Sequence, residues 1–397
     1  MNILYQTYGK VHPTKGGTER ATVTVATALT QLYGARCFSI YEEPAETPKE
    51  ECFAKEYLWT PQRELEKDVQ TLRHIIVDND MDWVIIQGAF IHVPRFRAAV
   101  EGTGCKVIFA HHFEPRWELM FGRFGEIIRQ RPKSAWGFAR WVKNIVAYPL
   151  LAQQKKRRLS DAYRTAYEYA DFVVLLSRNF IKPYGAFAGT QDTSKYVVIP
   201  NGLSFKFTPC YDGLAKRKVV LIVSRLDERS KRLSLALRIW ARVKQDPAAD
   251  GWMLRIVGHG NDRKLYERII RNEHIPDVSL EGRRDPVPCY KEASIFMMTS
   301  RSESWGLTLT EAQQMGVVPI AFDTYASLRE IITDGENGMV IAEGDVDEYV
   351  RSMKELICDD ALRQRMAEQA IRSSQRFSQE TIAEQWWKLL SKNKTLI

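Results

Sequence analysis

Two doubly wound α/β domains are the architecture this sequence predicts, and three observations carry that expectation. Twelve short apolar runs alternate with helix-like stretches. Most of the runs are unbroken and not alternating, as parallel strands covered by helices on both faces require. The 397 residues exceed one typical core and suit two domains of about 150 to 200 residues each.

In chain order the first series of candidate strands is Asn2–Gln6, Arg36–Tyr41, Trp83–Gly88, Lys106–His112, Phe172–Ser177 and Tyr196–Pro200. The second is Val219–Arg225, Met253–Gly258, Val278–Glu281, Ile295–Ser300, Val318–Asp323 and Met339–Ala342. Each series predicts a Rossmann-like sheet with its ligand crevice at the carboxyl ends of the strands. The turn Pro200-Asn201-Gly202 separates them. This predicts an N-terminal domain over 1–200, with a segment 116–165 inserted, and a C-terminal domain over 201–377. A closing helix within 378–397 spaces Ile382, Trp386 and Leu389 on one face and needs an apolar surface, expected on the first domain.

A composition of 45% hydrophobic and 27% charged residues is that of a globular enzyme and excludes disordered and fibrous classes. MNILYQTYGK lacks a signal peptide's basic start and apolar run, and no stretch approaches the ~18 apolar residues of a membrane span. Six scattered cysteines without CxxC pairs read as reduced core thiols of a cytoplasmic protein. The net charge of +8 is concentrated: residues 116–165 hold twelve Lys or Arg against three acids, a balance of +9.

The chemistry-bearing motifs sit at predicted strand ends. After Ile295–Ser300 comes RSESWG and then a helical run from Gly306 to Gly316. A helix starting there offers backbone N–H groups and a positive dipole end to a diphosphate. Glu303 precedes that end, and Glu311 lies about 12 Å further along. Such carboxylates accept from vicinal hydroxyls and suit a hexose and a ribose either side of a diphosphate; a loop cap and a solvated helix residue are the structural alternative. Arg225 leaves a strand end and Lys231 follows six residues later. They are two cations placed to neutralise a departing nucleoside diphosphate, or otherwise surface charges. Gly258 and Gly260 form a truncated glycine turn without the third Gly of a dinucleotide fingerprint. Gly16-Gly17 precede the expected helix Thr18–Tyr33 and let backbone amides approach a phosphate or sugar. One of His111 and His112 points to the crevice, since neighbours on a strand alternate faces. That imidazole donates to a sugar hydroxyl or acts as a base, unless it is structural.

In this order the motifs resemble the family 4 retaining glycosyltransferases of the GT-B fold, two Rossmann-like domains facing a central cleft. The residues that carry the resemblance are Gly16-Gly17-Thr18-Glu19, His112-x-x-Pro115, Asn201-Gly202, Arg225…Lys231, Gly258-His259-Gly260 and Glu303…Glu311. GRRDPVPCYKEAS and GVVPIAFDTYASLREIITDGENG agree on either side of the last. The resemblance is strong over 196–342 and absent over 116–165.

It implies a hexosyltransferase in which Glu303 holds the donor-sugar hydroxyls, Glu311 the ribose, and Arg225 and Lys231 the diphosphate. The Trp305-Gly306-Leu307 backbone and Gly258 would lie along the donor, Gly17 would meet its phosphate, His112 its sugar, and Arg284 its base. It also implies retention of configuration and no metal or other cofactor. The triplets Asp78–Asp80 and Asp345–Asp347 read as turn and helix start, not as metal ligands. Ser304 stands where the family usually has Gly, and the Arg-to-Lys interval is one residue longer than common, which leaves Arg229 and Arg232 as competitors of Lys231.

Within 116–165, Phe138, Trp141, Ile145 and Tyr148 fall on one helical face, opposite Arg140, Lys143 and Asn144, and Lys155–Arg158 follow. Aromatics beside clustered cations describe a helix in an anionic membrane interface, the alternative being a helical hairpin packed on its own domain. The expectation is therefore a cytoplasmic transferase, peripheral on the inner leaflet of the plasma membrane. Its donor would be a nucleotide sugar, with UDP favoured, and its acceptor a glycan or polyprenyl-diphosphate-linked chain of a bacterial-type surface polysaccharide or lipopolysaccharide. A GT-B epimerase or phosphorylase is the competing enzyme. A nucleic-acid partner is not expected, since no binding module accompanies the charge.

Overall fold

The computed structural model describes residues 1–397 except 13–15, 63, 121–131, 133, 207–208, 210, 212–214 and 393–397. It divides into two units, Met1–Ile199 with Trp386–Ile397, and Pro200–Gln385.

The first unit is built on a seven-stranded parallel sheet in the order β3-β2-β1-β4-β5-β6-β7. Its strands are β1 (Asn2–Gly9), β2 (Arg36–Glu43), β3 (Phe53–Leu58), β4 (Trp83–Gln87), β5 (Lys106–His111), β6 (Phe172–Leu175) and β7 (Tyr196–Val198). The centre reads as predicted, with Ile3, Leu4, Val84, Ile85, Val107 and Ile108 fully buried. β3 was not foreseen. As an edge strand it leaves Ala54, Lys55 and Leu58 exposed, so it lacks the apolar run that betrays a central strand. Glu56 compensates by pairing with the buried Lys10 at 3.0 Å.

Helices cover both faces: α1 (Gly17–Tyr33), α2 (Leu65–Asp78), α3 (Val93–Val100), α4 (Ala135–Tyr169) and α5 (Ile181–Ala188). α1 begins one residue earlier than expected, at Gly17, and ends on Gly34 in the left-handed region at φ 65°. α4 corrects the expectation for the basic segment. Its start is capped by Ser134, which accepts from the Gly137 N–H at 3.1 Å, and it runs through Pro149 for 35 residues. One face of its last turns is core, with Tyr163 and Ala166 fully buried. In its first half Trp141, Ile145 and Tyr148 are half-buried. The face left exposed is instead Phe138, Val142, Val146 and Leu150, an i, i+4 stripe, with Trp136 78% exposed beside it.

The second unit carries a six-stranded parallel sheet in the order β10-β9-β8-β11-β12-β13. The strands are β8 (Val219–Val223), β9 (Met253–Val257), β10 (Val278–Gly282), β11 (Ile295–Met298), β12 (Val318–Asp323) and β13 (Met339–Ala342). All six were foreseen because most are continuous apolar runs. Crossing helices are α6 (Glu228–Lys231), α7 (Leu233–Val243), α8 (Arg263–Asn272), α9 (Val287–Glu292), α10 (Leu307–Gln314), α11 (Leu328–Ile331), α12 (Val346–Cys358) and α13 (Asp360–Ser374). One hydrophobic cluster joins Leu237, Trp240, Trp252, Ile256, Phe322 and Met353 across these layers.

The last helix, α14 (Gln379–Lys392), buries Ile382, Trp386 and Leu389 as its spacing predicts. Gln379 donates to Leu203 C=O at 3.0 Å in the second unit. Trp387 stacks on Tyr33 at 4.7 Å in the first. Asp80 sits in a turn at φ 47° and Asp345 N-caps α12. Cys37, Cys105 and Cys289 are buried thiols, whereas Cys358 is exposed and so is not a core residue; Cys210 lies outside the described residues. Among the described residues no helix is long and apolar enough to cross a membrane.

Candidate functional site

In the second unit the chain leaves β11 through Thr299 and Ser300, both buried, and enters α10 at Gly306. Gly306 adopts φ +82°, and a Cβ there would lie 2.9 Å from Tyr325 Oη, so the turn requires glycine twice over. No side chain caps the helix, and the N–H groups of Leu309 and Thr310 fold back on Gly306 C=O at 2.9 and 3.2 Å. The positive end of α10 is therefore dressed by backbone alone. Trp305 contributes only its backbone there, because its indole is buried edge-on against Phe377 at 5.1 Å.

Glu303 stands before this helix start and is paired. Its carboxylate accepts from Lys231 Nζ at 2.5 Å and from Ser300 Oγ at 2.7 Å. Both partners of the ion pair are 15% exposed at the side chain. Ser224, Lys231, Ser300, Glu303 and Thr308 line one small cavity. The competition among neighbouring cations is decided by geometry. Arg232, at φ 51°, turns its guanidinium onto the Thr299 and Ser300 carbonyls at 2.8 and 3.1 Å, Arg229 is exposed, and Lys231 alone of the three meets Glu303. Arg232 thus staples α6 to the end of β11, a role its place in a charged loop did not reveal.

Arg225 is exposed on the loop after β8, and the glycine pair explains how that loop is held. A Cβ on Gly258 would fall 1.8 Å from Ser224 O, and one on Gly260 2.3 Å from Leu226 O. Leu226 N–H donates to His259 C=O at 2.9 Å. The Gly-x-Gly turn therefore lets one backbone lie on another and sets the Arg225 loop, which accounts for both glycines without a ligand.

Glu311 is wholly buried, not a solvated helix residue. It accepts from Ser204 Oγ at 2.6 Å and Tyr290 Oη at 2.9 Å. Neither hydroxyl was singled out in the sequence, because each lies far from Glu311 along the chain. Arg284 is exposed and donates to Glu281 at 2.6 Å. Glu281 also pairs with Arg255 at 2.5 Å, and these hydrogen bonds, Arg255 first, hold its carboxyl below the usual range.

In the first unit Gly16 precedes α1 in extended conformation, and the helix start at Gly17 has no side-chain cap. Of the two histidines, His111 is the enclosed one. It is 1% exposed, among Phe90, Phe109, Tyr163 and Tyr184. Its Nε2 lies 3.3 Å from Tyr163 Oη. His112, just past the end of β5, keeps partial exposure and hydrogen-bonds Gln87. Burial lowers the imidazole pKa to about 4 in His112 and about 3 in His111, so both are neutral at pH 7.

Residues 213–373 match the family model of glycosyl transferases group 1. The chain is 24% identical over 339 residues to poly(glycerol-phosphate) alpha-glucosyltransferase of Bacillus subtilis, covering 84% of this chain and 47% of that protein. It is 28% identical over 178 residues to the amylovoran biosynthesis glycosyltransferase AmsD of Erwinia amylovora, 44% and 49% of the two lengths. The chain thus spans about half the length of these curated relatives. Among solved structures, Anabaena Alr3699/HepE in complex with UDP aligns over 99% of this chain and 100% of its own, with TM-score 0.74 and 19% identity. That likeness shows the fold, two Rossmann-like domains of the GT-B type. None of these likenesses favours an epimerase or a phosphorylase.

Proposed function

Because residues 213–373 form a group 1 glycosyl transferase domain, we propose that the protein moves a hexose or N-acetylhexosamine from a nucleotide sugar to a glycan or lipid-linked acceptor of a surface polysaccharide. The observation that carries this is the Lys231–Glu303 pair set before the uncapped start of α10. An ammonium and a helix N-terminus together attract a diphosphate. A carboxylate with lone pairs beyond those used by Lys231 and Ser300 accepts sugar hydroxyls. On donor binding Lys231 turns to the diphosphate, Arg225 joins it as charge builds on the leaving group, and Glu303 is freed for the sugar. Glu311, already accepting hydrogen bonds from two protein hydroxyls, exchanges Ser204 for a ribose hydroxyl. Gly17, Arg284 and His112 serve the phosphate, the base and the sugar.

With these charges the proposed reaction needs no divalent metal; the family resemblance implies retention of configuration, with front-face displacement as the proposed route. The UDP carried by HepE supports a UDP-sugar donor. A thermal-shift panel of UDP-, GDP- and ADP-sugars with EDTA present tests the reading. One UDP-sugar raises the melting temperature, by about 2.7 kcal/mol of stabilisation at a hundredfold excess over Kd, and Glu303→Ala loses the sugar-dependent part. Equal stabilisation of the variant refutes the role.

The acceptor side rests on α4. Phe138, Val142, Val146 and Leu150 are exposed together, with Arg140, Lys143 and Lys155–Arg158 on the same helix. This composition fits the anionic inner leaflet, where each cation contributes about 1 kcal/mol, and would bring a polyprenyl-diphosphate-linked acceptor to the enzyme. Co-sedimentation with phosphatidylglycerol vesicles, lost in Val146→Asp and absent with neutral vesicles, is expected. Equal binding to both vesicle types, or to neither, refutes it.

A further inference from the structure

His112 is held by a residue to which the sequence assigns nothing. Gln87 ends β4, which pairs with β5 in the register Gln87↔Ala110, so its side chain reaches the end of the neighbouring strand. There Gln87 Oε1 meets His112 Nε2. An amide oxygen only accepts, so the nitrogen facing it carries the proton. A neutral imidazole has one donor and one acceptor, and here the donor is spent. The acceptor, Nδ1, is shielded from water and has no hydrogen-bond partner among the described residues.

The adjacent network closes the other routes. Tyr163 Oη accepts from the Arg116 N–H at 2.9 Å and donates to Glu118 at 3.0 Å, leaving an oxygen lone pair for His111 Nε2–H. His111 is thus committed inside its aromatic cage. Both histidines leave Nδ1 without a partner among the described residues, but His111 is enclosed and only His112 keeps surface.

We propose that Gln87 is a positioning residue that fixes His112 in its Nε2–H tautomer, so that the imidazole meets a sugar hydroxyl through the Nδ1 lone pair, as an acceptor. The sugar contact rests on the donor-site reading above; the tautomer does not. Neutral His112 then cannot donate to the sugar, and its role is that of an acceptor, neither the donor nor the base that the sequence left open. The hydroxyl keeps its proton and gives a hydrogen bond.

The test is nitrogen NMR of the ¹⁵N-histidine-labelled full chain, with the His112 signals identified by their loss in His112→Gln. The expected spectrum at pH 7 shows a protonated Nε2 and a bare Nδ1. Gln87→Leu relaxes the tautomer ratio by roughly five- to tenfold, and Gln87→Glu, which still accepts, restores it. A proton on Nδ1 in the wild type, or an unchanged ratio in Gln87→Leu, overturns the proposal. Titration with UDP-glucose, UDP-galactose and UDP-N-acetylglucosamine forms the second arm. A Nδ1 shift on binding supports the acceptor role, and a bound sugar that leaves Nδ1 unmoved overturns that role. Failure of all three to bind refutes the UDP-sugar donor, while the tautomer assignment is still judged by the first arm.

Discussion

Removing the Lys231 charge and the Glu303 charge separately and together measures the pair at the centre of the site. The two groups are 2.5 Å apart and 15% exposed, so neither enjoys the full solvation of a surface charge. Lys231→Met leaves the Glu303 carboxylate with Ser300 as its nearest donor. Glu303→Gln leaves an ammonium beside a neutral amide. Hydrogen bonds to charged groups contribute about 1.5–3 kcal/mol, more than the ~0–1 kcal/mol of exposed pairs and less than the ~3–5 kcal/mol lost on breaking a fully buried one. A coupling energy near 2 kcal/mol is therefore expected from urea unfolding of the wild type, the two single variants and the double. The double variant should be more stable than the sum of the single losses predicts. Coupling below about 0.5 kcal/mol, the scatter of independent sites, would refute the reading of Lys231 and Glu303 as an interacting pair at the centre of the site.

Four further outcomes follow from particular contacts. Gly258→Ala places a Cβ 1.8 Å from Ser224 O and is expected to destabilise by about 3 kcal/mol or more in urea unfolding, because backbone must move on both loops. Gly306→Ala should cost about 1–2 kcal/mol for the left-handed backbone, and Tyr325→Phe in the same protein should relieve only the added contact with Oη. Tyr290→Phe removes a hydroxyl donor from the fully buried Glu311; a stability loss of about 1–3 kcal/mol in the same assay is expected. For pH, His112 titrates near 4 in the folded chain against about 6.5 unfolded. Only the unfolded state gains this proton as pH falls from 6.5 to 4, so stability from this group is present above 6.5 and lost across that window. The pH dependence of unfolding should become shallower there in His112→Gln without vanishing, because His111, lowered to about 3, contributes across the same window.

Much of the fold was legible because burial on both faces demands continuous apolar runs. The six strands of the second sheet and the central strands of the first are such runs. β3 was illegible for the complementary reason: a half-exposed edge strand carries Lys55 and Glu56 and needs no such run. The glycine start of α10 was visible as a break before a helical pattern, and the structure explains it by positive φ and the nearness of Tyr325. The basic helix was found but its faces were misjudged. Helical periodicity groups Trp141, Ile145 and Tyr148, yet which face turns to solvent depends on what packs against it.

By itself the sequence determined two parallel-sheet domains and the strand ends after which His112, Arg225 and Glu303 stand, since these follow from local periodicity and turn chemistry. Tertiary structure alone decided which groups meet. Lys231 and not Arg229 or Arg232 reaches Glu303. Ser204 and Tyr290 reach Glu311 across 107 and 21 residues, and Gln87 reaches His112 from the neighbouring strand. Gly258 and Gly260 turned out to be demanded by a second backbone lying on them. Partnerships between side chains remote in sequence depend on strand order and register, and those arise only when the sheets assemble.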